Sequence, residues 1–328
     1  MSNMRTESGP PAATARPRPP VLRALGRGEP PDQVRIAGAF YRLDRVLKHD
    51  SWAATAIYET VDADAQGQRV ICKFNRRQSI FIIPMGWLGR KLARNEESML
   101  RALADSPHVP RWTGKVESEG RILLNAVAHD YVEGRPLQRY DRVGDDFFPK
   151  LRGLLDLMHQ RGLAYVDLHK RENILVGDDG LPYLIDFQIS YALPKRWPGR
   201  LFLFLSRRWL GILQRSDDYH FLKHFAKSRP DLCGQEVQQV RADRPWWIRA
   251  HRAFARPFRA LRRKLLVLAQ VRRGAGRATS ERFAEEAVRL EAAHVYAPAN
   301  APAPHFDRER EGSAAIAAEE RSGSIAEN

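Results

Sequence analysis

Cysteine is almost missing: Cys72 and Cys233 are the only two in 328 residues. Their separation excludes a CxxC zinc scaffold or a disulfide framework and suits a reducing compartment. The first 35 residues contain no apolar stretch long enough for a secretory h-region. Their PRPPV and EPPDQ segments predict a disordered leader over residues 1–35 of a cytoplasmic protein. A membrane span needs about 20 apolar residues, and RLFLFLSRRWLGILQR (200–215) is too short and too basic to cross. No internal repeat is visible, and the Ala, Pro, Glu and Ser composition of residues 296–328 predicts a second disordered segment. Acid is locally scarce. Residues 241–277 carry twelve Lys or Arg against one acid, Asp243, within a chain of net charge +15.

What is present is ordinary globular material, 43% hydrophobic. YRLDRVL, TAIYETV and RVICKFN read as antiparallel strands around a DADAQGQ turn, with Lys73 unexpectedly inside the third. RKLARNEESMLRALAD has helical apolar spacing and carries Glu96 and Glu97. RILLNAVAHDYVEG returns to strand character. FFPKLRGLLDLMHQRG is helical, with Gly162 placed to cap it. The expected class is α+β, with an antiparallel sheet and one helix over residues 36–134 and a mostly helical part over 135–240.

Residues 164–190, AYVDLHKRENILVGDDGLPYLIDFQIS, hold the densest polar constellation. Apolar residues on either side of GDDGLP predict a hairpin. Its pairing brings Asp167 and Asn173, before the first strand, to the same end as Asp186, after the second. Carboxylates in such apolar company are costly to bury unpaired, and a bound cation removes that cost. Oxygen ligands of this kind suit Mg²⁺, which completes its shell with water and substrate phosphates.

Taken in order, these segments resemble the protein-kinase-like superfamily over residues 41–232, and the resemblance implies a two-lobed fold that binds ATP and Mg²⁺. It makes VICKF the lysine strand, with Lys73 on the phosphates, and ARNEESML the helix whose Glu96 pairs with that lysine. AHDYVEGRPL becomes the hinge, placing Asp130 and Tyr131 at the nucleotide; Ala53 and Ala54 stand in the phosphate-facing loop. Asp167 is then the base or hydroxyl-orienting group, Asp186 the principal metal ligand, Asn173 the second, and Asp218, in RSDDYHFLKH, the brace of the catalytic loop.

The departures are specific. No glycine occurs over residues 47–58, where the family has a glycine-rich loop, although small residues there still allow backbone to approach phosphate. Asp167 to Asn173 is six steps rather than five, so either the loop bulges or Glu172 replaces Asn173. Tyr165-Val166 and Gln188 stand where the family has His-Arg and Gly. No Ala-Pro-Glu motif lies between Asp186 and Asp218, which makes the chain more similar to RIO-type and bacterial lipopolysaccharide-core sugar kinases. The implied substrate is a hydroxyl on a sugar, a lipid-linked molecule or another small molecule. The alternatives are a pseudokinase or scaffold module and a serine/threonine protein kinase.

Residues 241–295 read as a basic amphipathic extension, with Trp247, Phe254 and Phe258 on one face of a helix and arginines on the other. Packing of that apolar face on the globular part is the plainest role. An anionic membrane surface, contacted through residues 246–273 at the inner face of the cytoplasmic membrane, comes second, and nucleic acid third.

Overall fold

Strands rich in β-branched and aromatic residues build the largest element of the computed structural model, an eight-stranded antiparallel sheet. The structure describes residues 20–62, 67–80, 83–138, 140–194, 200–235 and 237–242, with Pro245 and Trp247. Along the chain come β1 (Gln33–Ile36), β2 (Ala39–His49), β3 (Ala53–Thr60), β4 (Arg69–Asn75), α1 (Gly86–Ala102), β5 (Trp112–Gly114), β6 (Val116–Ser118), β7 (Arg121–Ile122) and β8 (Ala126–Asp130). They are ordered β5-β8-β4-β3-β2-β1-β6-β7 in the sheet. There follow β9 (Gly134–Pro136), α2 (Phe147–Gln160), β10 (Leu163–Ala164), β11 (Ile174–Gly177), β12 (Pro182–Leu184), β13 (Tyr191–Ala192), α3 (Arg200–Ser228), α4 (Pro230–Cys233) and α5 (Val237–Ala242). The class is α+β.

Local chemistry explains the boundaries. Helix α2 ends at Gly162, whose φ of +70° suits a residue without Cβ; its N–H donates to the His159 carbonyl at 3.0 Å. The hairpin is β11 against β12, with Ile174 opposite Leu184 and Val176 opposite Pro182. One apolar cluster fills one face of the large sheet, through Val34, Ala54, Tyr58, Cys72 and Phe74. A larger one gathers Phe147, Leu151, Leu155, Leu168 and Phe187, but also Met99 and Leu100 of α1 and Val127 of β8. The second core therefore draws on both sides of position 134, while the first lies wholly before it.

Residues 20–35, expected within a disordered leader, are instead part of the packed structure. Ala24 is fully buried; its N–H donates to the Asp50 carbonyl at 2.8 Å, and its own carbonyl accepts from Arg77 and Gln78 at 2.9 and 3.0 Å. Strand β1 lies inside the sheet, between β2 and β6. Composition missed this because the segment is held by backbone hydrogen bonds and by the buried Arg76, which donates to the carbonyls of Val21 and Ser51. Residues 1–19, nearly all of 241–295 and the 296–328 tail lie outside the described residues.

Helix α1 crosses the end of β4 at Gly89, where an added Cβ would overlap the Arg76 backbone carbonyl. No rotamer relieves a clash with backbone. Gly89→Ala is expected to lower stability by about 1–3 kcal/mol, the usual cost of overpacking. Gly153→Ala, at an exposed α2 position with open space around it, is expected to gain about 0.5–1 kcal/mol instead. Urea unfolding of the two variants checks the contrast, and equal effects would contradict the close approach.

Candidate active site

Lys73 is an ammonium inside a sheet, only 6% exposed. Strand alternation sets its direction: Ala54, Cys72 and Phe74 pack into the apolar cluster, so Lys73, Thr55 opposite it, Ala53 and Asn75 occupy the other face. On that face its Nζ lies 2.7 Å from Asp186 Oδ1 and 3.1 Å from Glu96 Oε1. Glu96 comes from α1 and has no exposed surface. Burial alone would lower the lysine, but the two carboxylates outweigh it and hold the ammonium above its ordinary range. Burial likewise works to lift Asp186, and Lys73 overcomes it, keeping that carboxyl at about 2. Glu96 is the opposite case, with burial raising it against the pull of Lys73. Asp186 therefore carries the more secure negative charge.

Asp167 and Asn173 meet a few residues away. Asn173 Nδ2 donates to Asp167 Oδ2 at 3.1 Å, and Lys170 Nζ donates to the same oxygen at 2.7 Å. Asp167 Oδ1 is buried and lies 3.1 Å from His169 Nδ1 without hydrogen-bonding geometry. Burial favours the neutral acid here, yet His169 and Lys170 hold the carboxyl below its usual range. The six-step spacing is absorbed by a 3₁₀ turn over Arg171–Asn173, which buries Asn173 and leaves Glu172 exposed. The Ile185 N–H donates to the Asn173 carbonyl at 3.1 Å, so the hairpin delivers Asn173 beside the residue preceding Asp186.

Two non-glycine residues in this region have left-handed backbone, Val166 at φ 72° and Asp186 at φ 64°. Such conformations cost about 1–3 kcal/mol each and persist only where neighbours enforce them. Asp217 enforces the first: its buried carboxylate accepts the N–H groups of Tyr165 and Val166 at 2.7 and 2.8 Å. This corrects the sequence expectation by one residue. Asp218 lies on the helix side facing Arg152, which it accepts at 2.6 Å, and is 40% exposed. Asn95 steadies the segment after Asp186, its Nδ2 shared among the carbonyls of Phe187, Gln188 and Ser190 at 3.3, 2.9 and 2.8 Å.

Gln188 donates to Asn75 Oδ1 and so ties the same segment to β4. His224 Nε2 donates to the Leu168 carbonyl at 2.8 Å behind the loop. Sequence reasoning missed Asn95, Asn75, Lys170, Asp217 and His224. Only the Asp217-Asp218 doublet offered a signal, and helix phase decides between its members.

The remaining expected residues do not join this cluster. Ala54 points to the opposite face, into the apolar core, because it is one step out of phase with Lys73. The turn before Ala53 is closed by Asp50, whose Oδ1 accepts the Trp52 and Ala53 N–H groups at 2.7 and 2.9 Å. Asp130 accepts Arg111 at 3.1 Å, and the Arg69 guanidinium lies 4.6 Å above the Tyr131 ring. Both residues line a cavity of about 490 Å³ with Pro107, Val109, Asp178 and Tyr183.

No protein-family model and no curated protein matches this sequence. What the site does therefore rests on its own geometry. Among the described residues no three His, Cys, Asp or Glu side chains are gathered into an all-protein metal cage. Magnesium seldom uses one, being held by one or two carboxylates with water and phosphate. The buried Asp167 Oδ1 without a hydrogen bond, the ionised Asp186 and the amide of Asn173 form a donor set of that chemistry.

Asp217→Ala is expected to cost about 2–3 kcal/mol, since two buried N–H groups lose a charged acceptor, whereas Asp218→Ala costs under about 1 kcal/mol; the reverse ranking would reinstate Asp218 as the brace. His129 and His224 are both held neutral, at about 4, chiefly by burial. The unfolded chain takes up those protons below about pH 6.5, so their contribution is complete above that pH and is lost as pH falls toward about 4. Urea unfolding at pH 7 and pH 5 should show a decline of up to about 1.4 kcal/mol per pH unit for each histidine, and a flat profile would contradict their burial as neutral groups.

Proposed function

We propose that the chain is a phosphotransferase of the protein-kinase-like superfamily, two-lobed in that sense, using ATP and Mg²⁺ to phosphorylate a hydroxyl on a sugar, lipid-linked or other small substrate. One observation carries the reading. Lys73 is buried between carboxylates of two distant segments, Glu96 and Asp186, where a purely structural lysine would be expensive to keep. An ammonium fixed in that way is a ready contact for a polyanion.

Each residue then has a task. Lys73 holds phosphate oxygens while Glu96 fixes its position. Asp186 and Asn173 would hold the cation, which supplies neutralisation of phosphate charge when bound. Asp167, kept ionised by Lys170 and His169, orients the acceptor hydroxyl and takes its proton. Lys170, paired with Asp167 and 45% exposed, stands where it can also meet the transferring phosphate. Because Asp50 occupies the Trp52 and Ala53 amides, the grip on phosphate rests on the two lysines rather than on loop backbone.

That closed turn also favours a second reading, a non-catalytic member that keeps the fold as a binding module. Thermal unfolding with ATP, with and without Mg²⁺, followed by ATP turnover, separates the two. The expected result is Mg²⁺-dependent stabilisation with slow turnover, both abolished in Asp186→Asn. Asn173→Ala should lose the Mg²⁺-dependent part while Glu172→Ala, at an exposed position, keeps it. Stabilisation without turnover would support the binding module. No stabilisation of the native protein by ATP would sink the nucleotide reading altogether.

A further inference from the structure

Helix α3 is built the wrong way round for a soluble protein. An amphipathic helix normally turns its apolar stripe to the core. Over the first three turns of α3, Leu201, Phe202, Phe204, Leu205 and Trp209 are each more than half exposed, with Leu201 at 67%. At about 100° per residue these five fall on one arc. Leu203, Ser206 and Leu210 fall on the opposite side and are the ones withdrawn from solvent. The inner contacts of this stretch are thus made by three residues, and a larger, more aromatic surface is left outside. Contiguous apolar patches of this kind mark interaction surfaces rather than chance exposure.

The charge around the patch identifies its partner. The three turns that bear the patch carry Arg200, Arg207 and Arg208, and no acidic residue occurs on α3 before Asp217. Arg208 lies within the apolar arc itself, its guanidinium 5.7 Å from the centre of the Phe204 ring. A protein groove accepting this surface would need many carboxylates; an anionic bilayer offers negative charge and an apolar layer in the required order. Among the described residues no helix is long and apolar enough to cross a membrane, so the helix lies along the surface. We infer that the exposed face of α3, from Leu201 to Trp209, docks on an anionic lipid surface, with Phe202, Leu205 and Trp209 entering the interface and the arginines contacting head groups.

This places the contact away from Trp247, which the sequence had suggested as an anchor. The Trp247 indole N–H donates to Ser216 Oγ at 3.0 Å, and the Arg215 guanidinium sits 5.9 Å from the centre of its ring. Trp247 packs on α3 two turns beyond the exposed arc. The inference does not rest on the phosphotransfer reading, because lipid binding is measured without nucleotide.

The test is flotation of the full-length protein with vesicles of phosphatidylcholine alone, and of phosphatidylcholine mixed equally with phosphatidylglycerol. The native protein should float with the mixed vesicles, release as salt rises, and stay unbound to the neutral ones. Phe202→Ser, Leu205→Ser and Trp209→Ser together should weaken binding at least about a thousandfold, since each withdraws a side chain contributing about tenfold or more, with the melting temperature unchanged. A conservative set of the same positions changed to Leu, Met and Phe should retain binding. The inference is overturned by no flotation of the native protein; by serine variants that float like it; by serine variants that melt far lower, showing the face packed within the chain; or by a dimer that the serine variants dissociate and that ignores lipid. Loss of binding on Arg259, Arg262 and Arg263→Glu, with the serine variants unaffected, would assign the contact to residues 246–273 and overturn it equally.

Discussion

A buried ammonium that must find two carboxylates governs the arrangement around it. Lys73 is fixed by the phase of β4, and neither of its partners is near it in sequence. Glu96 has to arrive on α1 and Asp186 at the end of the hairpin. Desolvating three charges costs several kcal/mol per ion, and good geometry returns only part of it. The triad is therefore poor evidence for stability and strong evidence for position. Gly89 is the steric counterpart, letting α1 lie against the β4 end closely enough for Glu96 to reach inward.

A second layer keeps this geometry from relaxing. Val166 and Asp186 occupy backbone conformations that their side chains disfavour, and each is surrounded by side chains that satisfy main-chain groups. Asp217 accepts two successive amides, and Asn95 spans three carbonyls. These residues touch none of the charges at the centre. They determine where Asp167 and Asp186 can be, so the strain of the two loops is met by hydrogen bonds drawn from α3 and α1.

Outside that centre the molecule divides its charge unevenly. Three of its acids are withdrawn from solvent around the site, Glu96, Asp167 and Asp217, while others such as Asp105, Asp145 and Asp146 pair with basic side chains at the surface. In the sequence its basic excess falls on residues 187–216 and 241–277. The proposed polyanion site and the proposed anionic-surface contact are compatible with one another, since both would be served by a positive field.

The sequence alone determined the elements. Lys73 in RVICKF, the helix bearing Glu96, the capped α2 and the hairpin around GDDGLP could be read because periodicity and turn chemistry are local properties. They also brought Asp167, Asn173 and Asp186 to one end, since hairpin register is set by the turn. Tertiary structure decided what local pattern leaves open: Asp217 rather than Asp218, because helix phase against the loop selects one of two adjacent carboxylates; Asn173 rather than Glu172, because a 3₁₀ turn takes up the extra residue; the core side for Ala54, because strand pairing fixes its face; and the ordered state of residues 20–35, because their hold is backbone hydrogen bonding with distant partners. Which face of α3 meets solvent belongs to the same class, since the apolar content of a helix is written in its sequence and its orientation only in what packs beside it.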